Sequence, residues 1–268
     1  MPSALITGAT SGIGYHFARR LAADGFDLVL VARSRDTLQQ VADELHSEFG
    51  IGCEVLRADL GRLADCRRVE HRLTDRPVDL LVNNAGFGLY EGDFLEHDLD
   101  AEDALLMVNV RAVMRLTYAA LGPMVSAGAG SIINVSSVAS FAPDPKAPTY
   151  AASKAWVTSF TEGVRAQVAP NGVQVLALTP GLVPTEFQQR AGVEAHVPGL
   201  FWLDPDDVVD TALSDLQAGR GISVPGVAYR AVRVAMQMTP RRIYMPLSGA
   251  LINGSPEVLR VGDAMTWQ

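Results

Sequence analysis

The chain of 268 residues is poor in cysteine, with only Cys53 and Cys66 and no C-x-x-C spacing. Neither a disulfide framework nor a metal site is therefore expected, and the reducing cytoplasm is the expected compartment. It is also short of positive charge. Twenty-two Lys and Arg against 30 Asp and Glu leave a net charge of −8 and a pI near 5.1. No net basic field draws it to phosphate backbones or anionic lipids, so nucleic acid is not an expected partner. No uninterrupted apolar run approaches the roughly 18 residues that cross a bilayer. Ala4-Leu5-Ile6 meets Thr7-Gly8 too soon to form the core of a signal peptide. No Ser/Pro linker, composition shift or internal repeat divides the chain, so one domain over 1–268 is expected. What is present, 48% hydrophobic against 19% charged residues, suffices for a packed core.

Short β-branched apolar runs alternate with longer segments of helical period, the pattern of parallel strands joined by crossover helices. Strands are expected at Ser3–Thr7, Asp27–Ala32, Cys53–Arg57, Val78–Val82, Ser131–Ser136, Val173–Thr179 and Ile222–Val224. Helices are expected at Gly12–Asp24, Asp36–Ser47, Leu63–Thr74, Leu99–Val125, Thr149–Val168 and Pro205–Gln217. The fold class is thus α/β, a doubly wound domain with a mostly parallel sheet of about seven strands flanked by helices. Two segments break the alternation: Pro180–Leu203, which reads as a loop-like insertion, and Gly226 onward, which has no strand partner.

Thr7-Gly8-Ala9-Thr10-Ser11-Gly12-Ile13-Gly14 follows the first strand and opens directly into a helical pattern. Turn glycines are often only turn formers, but this strand-to-helix position is the one a dinucleotide site requires. Gly8 permits a sharp turn, Gly12 lets backbone N–H groups approach a pyrophosphate, and Gly14 lets the helix pack on the strand, while the helix N-terminus favours the anion. Thr10, Ser11 and Ile13 belong to the same turn. At the end of the second strand the chain reads Val31-Ala32-Arg33-Ser34. No carboxylate stands there to bind the ribose 2′-OH of NAD, whereas Arg33 can pair bidentately with a 2′-phosphate and Ser34 can add a donor. NADP(H) is expected in preference to NAD(H); the alternative is an ordinary exposed arginine at a strand end.

The TGxxxGxG spacing resembles that of the short-chain dehydrogenase/reductase family, and later residues extend the match in the family's order. They are Asn83-Asn84-Ala85-Gly86 after the fourth strand, Asn109 in the next helix, Ser136-Ser137 ending the fifth strand, Tyr150-Ala151-Ala152-Ser153-Lys154, and Pro180-Gly181 with Thr185 after the sixth. The resemblance implies a Rossmann domain, with 1–185 as cofactor and catalytic core, 186–204 as substrate loop and 226–268 as C-terminal extension. It also implies oxidation of an alcohol or reduction of a carbonyl with a nicotinamide cofactor.

The chemistry follows from the residues as well. Tyr150 and Lys154 are four apart on a helix and project from one face. A phenol of pKa about 10 is too weakly acidic to act as a base near neutrality. A lysine ammonium and the cationic ring of an oxidised nicotinamide both favour phenolate, and are expected to lower the Tyr150 pKa. Ser137, 13 residues before Tyr150, has the family's spacing for the serine that steadies charge on the substrate oxygen, which favours it over Ser136. By resemblance, Lys154 also binds the nicotinamide ribose, and Asn109 holds a water linking Lys154 to solvent. Asp59-Leu60 resembles the adenine-binding Asp-Leu, and Asp59 could instead cap the following helix. Asn83, Ala85 and Gly86 lie at the adenosine, and Pro180, Gly181, Val183 and Thr185 at the nicotinamide carboxamide and pyrophosphate. Two positions depart from the family pattern. Ser11 is not basic, so Arg33 carries the NADP argument almost alone, and Ser140 stands where many relatives have Gly.

Phe87, Leu89, Tyr90, Phe141, Phe187, Phe201 and Trp202 fall on loops at the carboxyl ends of strands, which implies an apolar carbonyl or alcohol substrate unless they merely pack the loops. From Val227 to Met236 the tail has the pattern of a basic amphipathic helix, with Pro240-Arg241-Arg242 after it. Covering the substrate pocket or an oligomer face is preferred for it over a membrane surface. The family implies a homodimer or homotetramer. A non-catalytic NADP-binding regulator on the same fold is the alternative function, but it has no need of Asn109, Ser137, Tyr150 and Lys154 together. An epimerase-type relative would need a TGxxGxxG turn and a larger substrate domain.

Overall fold

The computed structural model describes residues 1–185 and 198–239. Seven strands form one parallel sheet: β1 (Ser3–Thr7), β2 (Asp27–Ala32), β3 (Cys53–Arg57), β4 (Leu80–Asn83), β5 (Gly130–Val135), β6 (Val173–Leu178) and β7 (Ile222–Ser223), in the order β3-β2-β1-β4-β5-β6-β7. Strand order reverses between β1 and β4, and a crevice opens beyond the carboxyl ends of strands at such a point. Helices α1 (Gly12–Ala23), α2 (Arg35–Phe49), α3 (Leu63–Asp75), α4 (Leu99–Leu106), α5 (Val113–Ala127), α6 (Pro148–Val168), α7 (Pro205–Gln217) and α8 (Val227–Met238) complete the described chain.

Alternation along each strand divides the core in two. Ile6, Leu28, Leu30, Leu176 and Leu178 pack with Phe17, Leu21, Leu38, Leu45 and Val208 on the α1, α2 and α7 side. Leu5, Val29, Leu81, Ile132 and Val175 pack with Val69, Leu73, Leu116 and Met124 on the α3 and α5 side. Strands covered on both faces read as near-continuous apolar runs, which is why β1 and β2 begin and end at the expected residues, as does the half-buried edge strand β3. Gly50, at φ +71°, ends α2 in the left-handed conformation, as Gly128 at φ +66° ends α5.

The expected helix over Leu99–Val125 is present but not uniform: Met107–Ala112 forms a π turn between α4 and α5, and Asn109 lies in it. Such turns are frequent at functional sites. Leu99–Ala127 spans 29 residues and holds an 18-residue window of mean hydropathy 1.4, so among the described residues one helix is long and apolar enough to cross a bilayer, although charged residues interrupt it and it contains no continuous apolar run of that length. Its Leu105, Ala112, Leu116 and Ala120 are packed within the protein. The segment from Gly226 does form a helix, α8, while Pro240, Arg241 and Arg242 lie outside the described residues. So do Phe187 and most of the expected substrate loop, residues 186–197.

Candidate active site

At the end of β1 the chain turns through Gly8 (φ +67°) and Gly12 (φ +53°), backbone conformations that favour glycine. A Cβ on Gly14 would lie 2.2 Å from the Gly8 carbonyl oxygen and 2.4 Å from Asn84 Nδ2, so α1 starts hard against the turn. Asn84 holds that turn, its amide donating to the carbonyls of Thr7 (3.0 Å) and Gly8 (3.2 Å). Thr7 Oγ1 in return accepts the N–H groups of Asn84 and Ala85, both at 3.0 Å. Neither side chain was singled out in the sequence, although Asn84 is the second Asn of the NNAG motif. Ser11, the N-cap of α1, makes no capping hydrogen bond to the first-turn amides. Thr185, arriving from the far end of β6, has its Cβ 3.2 Å from where a Cβ on Gly12 would be. Glycine turn, uncapped helix N-terminus and overlying threonine together fit a diphosphate.

Several expected contacts have their side chains turned inward. Ile13 and Val183 join one half of the core and Leu60 and Ala85 the other, which leaves mainly their backbone groups for a ligand. Asn83 is buried and donates to Thr117 Oγ1 (3.2 Å) and Asn134 Oδ1 (2.9 Å), so its side chain belongs to a polar network between strand and helix rather than to the adenosine. Asp59 does not cap α3. Arg62 holds the N-cap position, and Asp59 Oδ1 accepts the Gly61 N–H at 3.1 Å.

Arg33 is exposed at the end of β2. Ser34 caps α2, accepting the Thr37 N–H at 3.3 Å and sharing a 2.8 Å hydrogen bond with the Thr37 hydroxyl, so its oxygen is partly committed. Arg57, at the end of β3, donates from Nε to the Arg33 carbonyl at 3.2 Å. A second guanidinium therefore stands beside Arg33. Its only signal in the sequence was its place at the end of the neighbouring strand.

Ser137, Tyr150 and Lys154 converge beyond β5. The Ser137 hydroxyl hydrogen-bonds the Tyr150 phenol and also accepts the Ala139 N–H at 3.1 Å. Lys154 Nζ lies 5.6 Å from the Tyr150 ring centroid and donates to the Val135 carbonyl at 2.9 Å. Ser136, by contrast, is buried and donates to the Lys154 carbonyl at 2.7 Å, a structural role that leaves Ser137 as the serine at the cleft. The expected lowering of the Tyr150 pKa does not appear. Burial pushes the phenol up to about 12, against the hydrogen bond from Ser137, and the Asp144 charge adds to the rise. Burial likewise pushes Lys154 down to about 8.

Asn109 is fully buried and pairs with the Phe87 backbone in both directions: Nδ2 donates to the carbonyl at 2.9 Å and Oδ1 accepts the N–H at 3.1 Å. Nδ2 also donates to Ser153 Oγ at 3.2 Å, a contact between the π turn and α6. A Cβ on Gly86 would lie 3.0 Å from Asn109 Oδ1 and 3.4 Å from Lys154 Nζ, which defines a space of atomic size between the two groups.

Around Tyr150 the loop after β4 builds an apolar wall. Phe87, Leu89, Tyr90 and Ala139 pack against Tyr150, Leu105 and Ala147, with the Tyr90 ring centroid 5.5 Å from that of Tyr150. Phe201 and Trp202 serve packing instead: Phe201 meets Tyr229 edge-on at 5.7 Å, and Trp202 bridges to Leu182. A cavity of about 200 Å³ lies on the outer side of this wall, lined by Gly88 to Glu91, His97, Asp98 and Ala101.

His97 anchors that loop. Its Nδ1 meets the Glu102 carboxylate at 2.6 Å and its Nε2 the Glu91 carbonyl at 2.9 Å. Both partners are acceptors, an arrangement that favours the doubly protonated ring. The Glu102 hydrogen bond chiefly raises the His97 pKa, helped by the Glu91 carbonyl and the charges of Glu102 and Glu96, with burial opposing. A pKa raised by folding contributes stability that is complete below about 6.5, the unfolded value, and is lost as pH rises through the folded value. The melting temperature of the protein should therefore fall above that pH more steeply than that of His97→Gln; parallel melting curves between pH 6 and 9 would refute it.

The sequence profile of the short chain dehydrogenase family matches residues 2–195. The chain is 31% identical over 231 residues to an uncharacterized oxidoreductase of Staphylococcus saprophyticus, covering 85% of this chain and 97% of that one. Among solved structures it is similar to a short-chain dehydrogenase from Sphingobium yanoikuyae in complex with NADPH, with TM-score 0.80, 34% identity, and 98% and 99% of the two chains covered. It is also similar to a bulky-bulky ketone specific alcohol dehydrogenase from Comamonas testosteroni, with TM-score 0.75, 30% identity, and 98% and 97% covered. The glycine turn, the NNAG segment and the Ser-Tyr-Lys group lie within the matched residues, and the chain belongs to the short-chain dehydrogenase family of NAD(P)-dependent oxidoreductases acting on CH–OH groups.

Proposed function

We propose that the protein is an NADP(H)-dependent oxidoreductase interconverting an apolar ketone and its alcohol, with Tyr150 as general acid and base. The observation that carries this reading is the convergence of Ser137, Tyr150 and Lys154 beside an apolar wall, at the same end of the sheet as the glycine turn. The bound nicotinamide supplies the hydride for reduction and accepts it in oxidation. In reduction, Ser137 and Tyr150 donate to the carbonyl oxygen, the Ser137 hydroxyl turning from the phenol to the substrate while its Oγ keeps the Ala139 N–H. A phenol raised to about 12 is fully protonated near neutrality, the state a general acid needs. As Tyr150 gives up its proton, the ammonium of Lys154, whose Nζ lies 5.6 Å from the ring centroid, favours the phenolate left behind. A water in the space over Gly86 would meet both Lys154 Nζ and Asn109 Oδ1 and return a proton from solvent.

For the adenosine end, Arg33 and Arg57 supply two guanidinium groups and no carboxylate, which suits a 2′-phosphate. Relatives solved with NADPH and with bound NADP support the same preference. For the substrate, Phe87, Leu89 and Tyr90 offer apolar surface, in keeping with a relative specific for bulky-bulky ketones. Leu106, Met114 and Tyr118 expose apolar surface on α4 and α5, and Trp156 stacks on Phe160 along α6. These helices form the face through which we assign a homodimer or homotetramer.

A carbonyl and alcohol screen followed by NADPH absorbance tests the function. Aromatic or long-chain ketones should turn over faster than short hydroxy acids. Arg33→Ala should lower kcat/KM with NADPH about tenfold or more while sparing NADH, since a charged hydrogen-bonded pair contributes about 1.5–3 kcal/mol. A wild-type preference for NADH would overturn the cofactor assignment.

A further inference from the structure

We propose that Tyr229, on α8, is a positioning residue that holds the nicotinamide-side segment Pro180–Thr185 in place, so that α8 sets affinity for the nicotinamide half of the cofactor. The inference rests on the NADP(H) reading above. Tyr229 is 6% exposed, and both hydrogen-bonding capacities of its hydroxyl are used by backbone groups far apart in sequence. The oxygen accepts the Leu182 N–H at 2.9 Å, and the hydroxyl donates to the Phe201 carbonyl at 2.8 Å.

One side-chain atom thus ties together the two stems of the excursion between β6 and α7. The stems also touch directly, for Leu203 N–H donates to the Leu182 carbonyl at 2.8 Å. Below the hydroxyl, the Tyr229 ring fills the space that Gly181 leaves: a Cβ there would lie 2.0 Å from the ring. The other side of the segment is fixed to the catalytic loop, where Val138 N–H donates to the Pro180 carbonyl at 3.0 Å. Pro180–Leu182 is therefore held between Ser137's own loop and Tyr229, and three residues later Thr185 reaches the glycine turn at Gly12. A change at Tyr229 should be felt where this segment meets the nicotinamide and the pyrophosphate. Nothing in the contacts of Tyr229 connects it to Arg33 or Arg57, on the other side of the switch point.

Tyr229→Phe keeps the ring in the Gly181 space and removes only the oxygen, leaving the Leu182 N–H and the Phe201 carbonyl without their partner. The test compares two ligands by titration: NADPH, and 2′,5′-ADP, which carries the adenosine and 2′-phosphate without the nicotinamide half. For Tyr229→Phe the Kd of NADPH should rise about five- to tenfold, the size of one or two net hydrogen bonds, with that of 2′,5′-ADP unchanged within about twofold. The KM for NADPH should follow the Kd, with kcat changed less. Arg233→Ala serves as control for the helix as a whole, since Arg233 lies one turn further along it and places its guanidinium 5.3 Å from the Phe141 ring centroid. It should leave the ratio of the two affinities as in the wild type. Equal NADPH affinity in wild type and Tyr229→Phe would overturn the proposal, as would an equal loss for both ligands, or an Arg233→Ala effect on the ratio as large as that of Tyr229→Phe. Failure of the wild type to bind either ligand would instead overturn the NADP(H) reading itself.

Discussion

Replacing Tyr150 by phenylalanine is expected to lower kcat by at least about 10²-fold, the usual contribution of a positioned acid or base, while cofactor binding and the melting temperature stay close to wild type. The ring is what the fold uses. It packs among Leu105, Ala147, Phe87, Leu89 and Tyr90, and Phe preserves all of that surface. The hydroxyl is what the chemistry uses. Its protein partner Ser137 keeps the Ala139 N–H when the phenol oxygen is gone, so the site loses a proton donor without collapsing. Initial rates of NADPH oxidation with the best substrate of the screen, together with NADPH titration and thermal melting of both proteins, measure this. Retention of more than about a tenth of the wild-type rate would remove Tyr150 from the acid role.

Gly14→Ala should abolish measurable NADPH binding and lower the melting temperature as well. The added methyl would stand 2.2 Å from the Gly8 carbonyl oxygen and 2.4 Å from Asn84 Nδ2, far inside contact distance. The first obstacle is backbone and cannot rotate away. The second is the side chain whose hydrogen bonds hold Thr7 and Gly8. Either α1 moves off the turn or Asn84 loses its grip, and in both cases the amides that face a diphosphate are displaced. Overpacking of this kind costs about 1–3 kcal/mol, occasionally more. Equilibrium dialysis against NADPH and a thermal melt provide the two readings. Near-normal affinity in a protein of wild-type stability would show that the turn does not depend on close approach of the helix.

Much of this was legible because cofactor turns and buried parallel strands leave local signals. The span Thr7 to Gly14 places Gly8 and Gly12 where the backbone needs positive φ, and β1 and β2 are apolar because both faces are covered. What escaped was contact across the chain. Asn84 reads as a motif letter, and only the fold brings its amide against Gly8. Arg57 joins Arg33 because β3 lies beside β2, a pairing that no sequence spacing encodes. Ile13, Leu60, Asn83 and Val183 sit in or beside motifs yet turn their side chains to the interior, because motif position fixes the path of the backbone and not the direction of a side chain. The rise that burial gives the Tyr150 pKa has a related cause. An ammonium four residues away is visible in the sequence, whereas the burial that outweighs it depends on Phe87, Leu89 and Tyr90 arriving from another loop.

The cleft is made of two materials, and they differ in how much change they admit. Its cofactor half relies on glycines where an added Cβ would meet neighbours, at Gly8 and Gly14, so almost any substitution there displaces the turn. Its apolar half relies on side chains carried by loops, such as Leu89 and Tyr90, whose replacement leaves the turn untouched. A laboratory seeking a new ketone from this scaffold should therefore confine its libraries to the loops after β4 and β5, where variants can differ in specificity and still share one way of holding the cofactor.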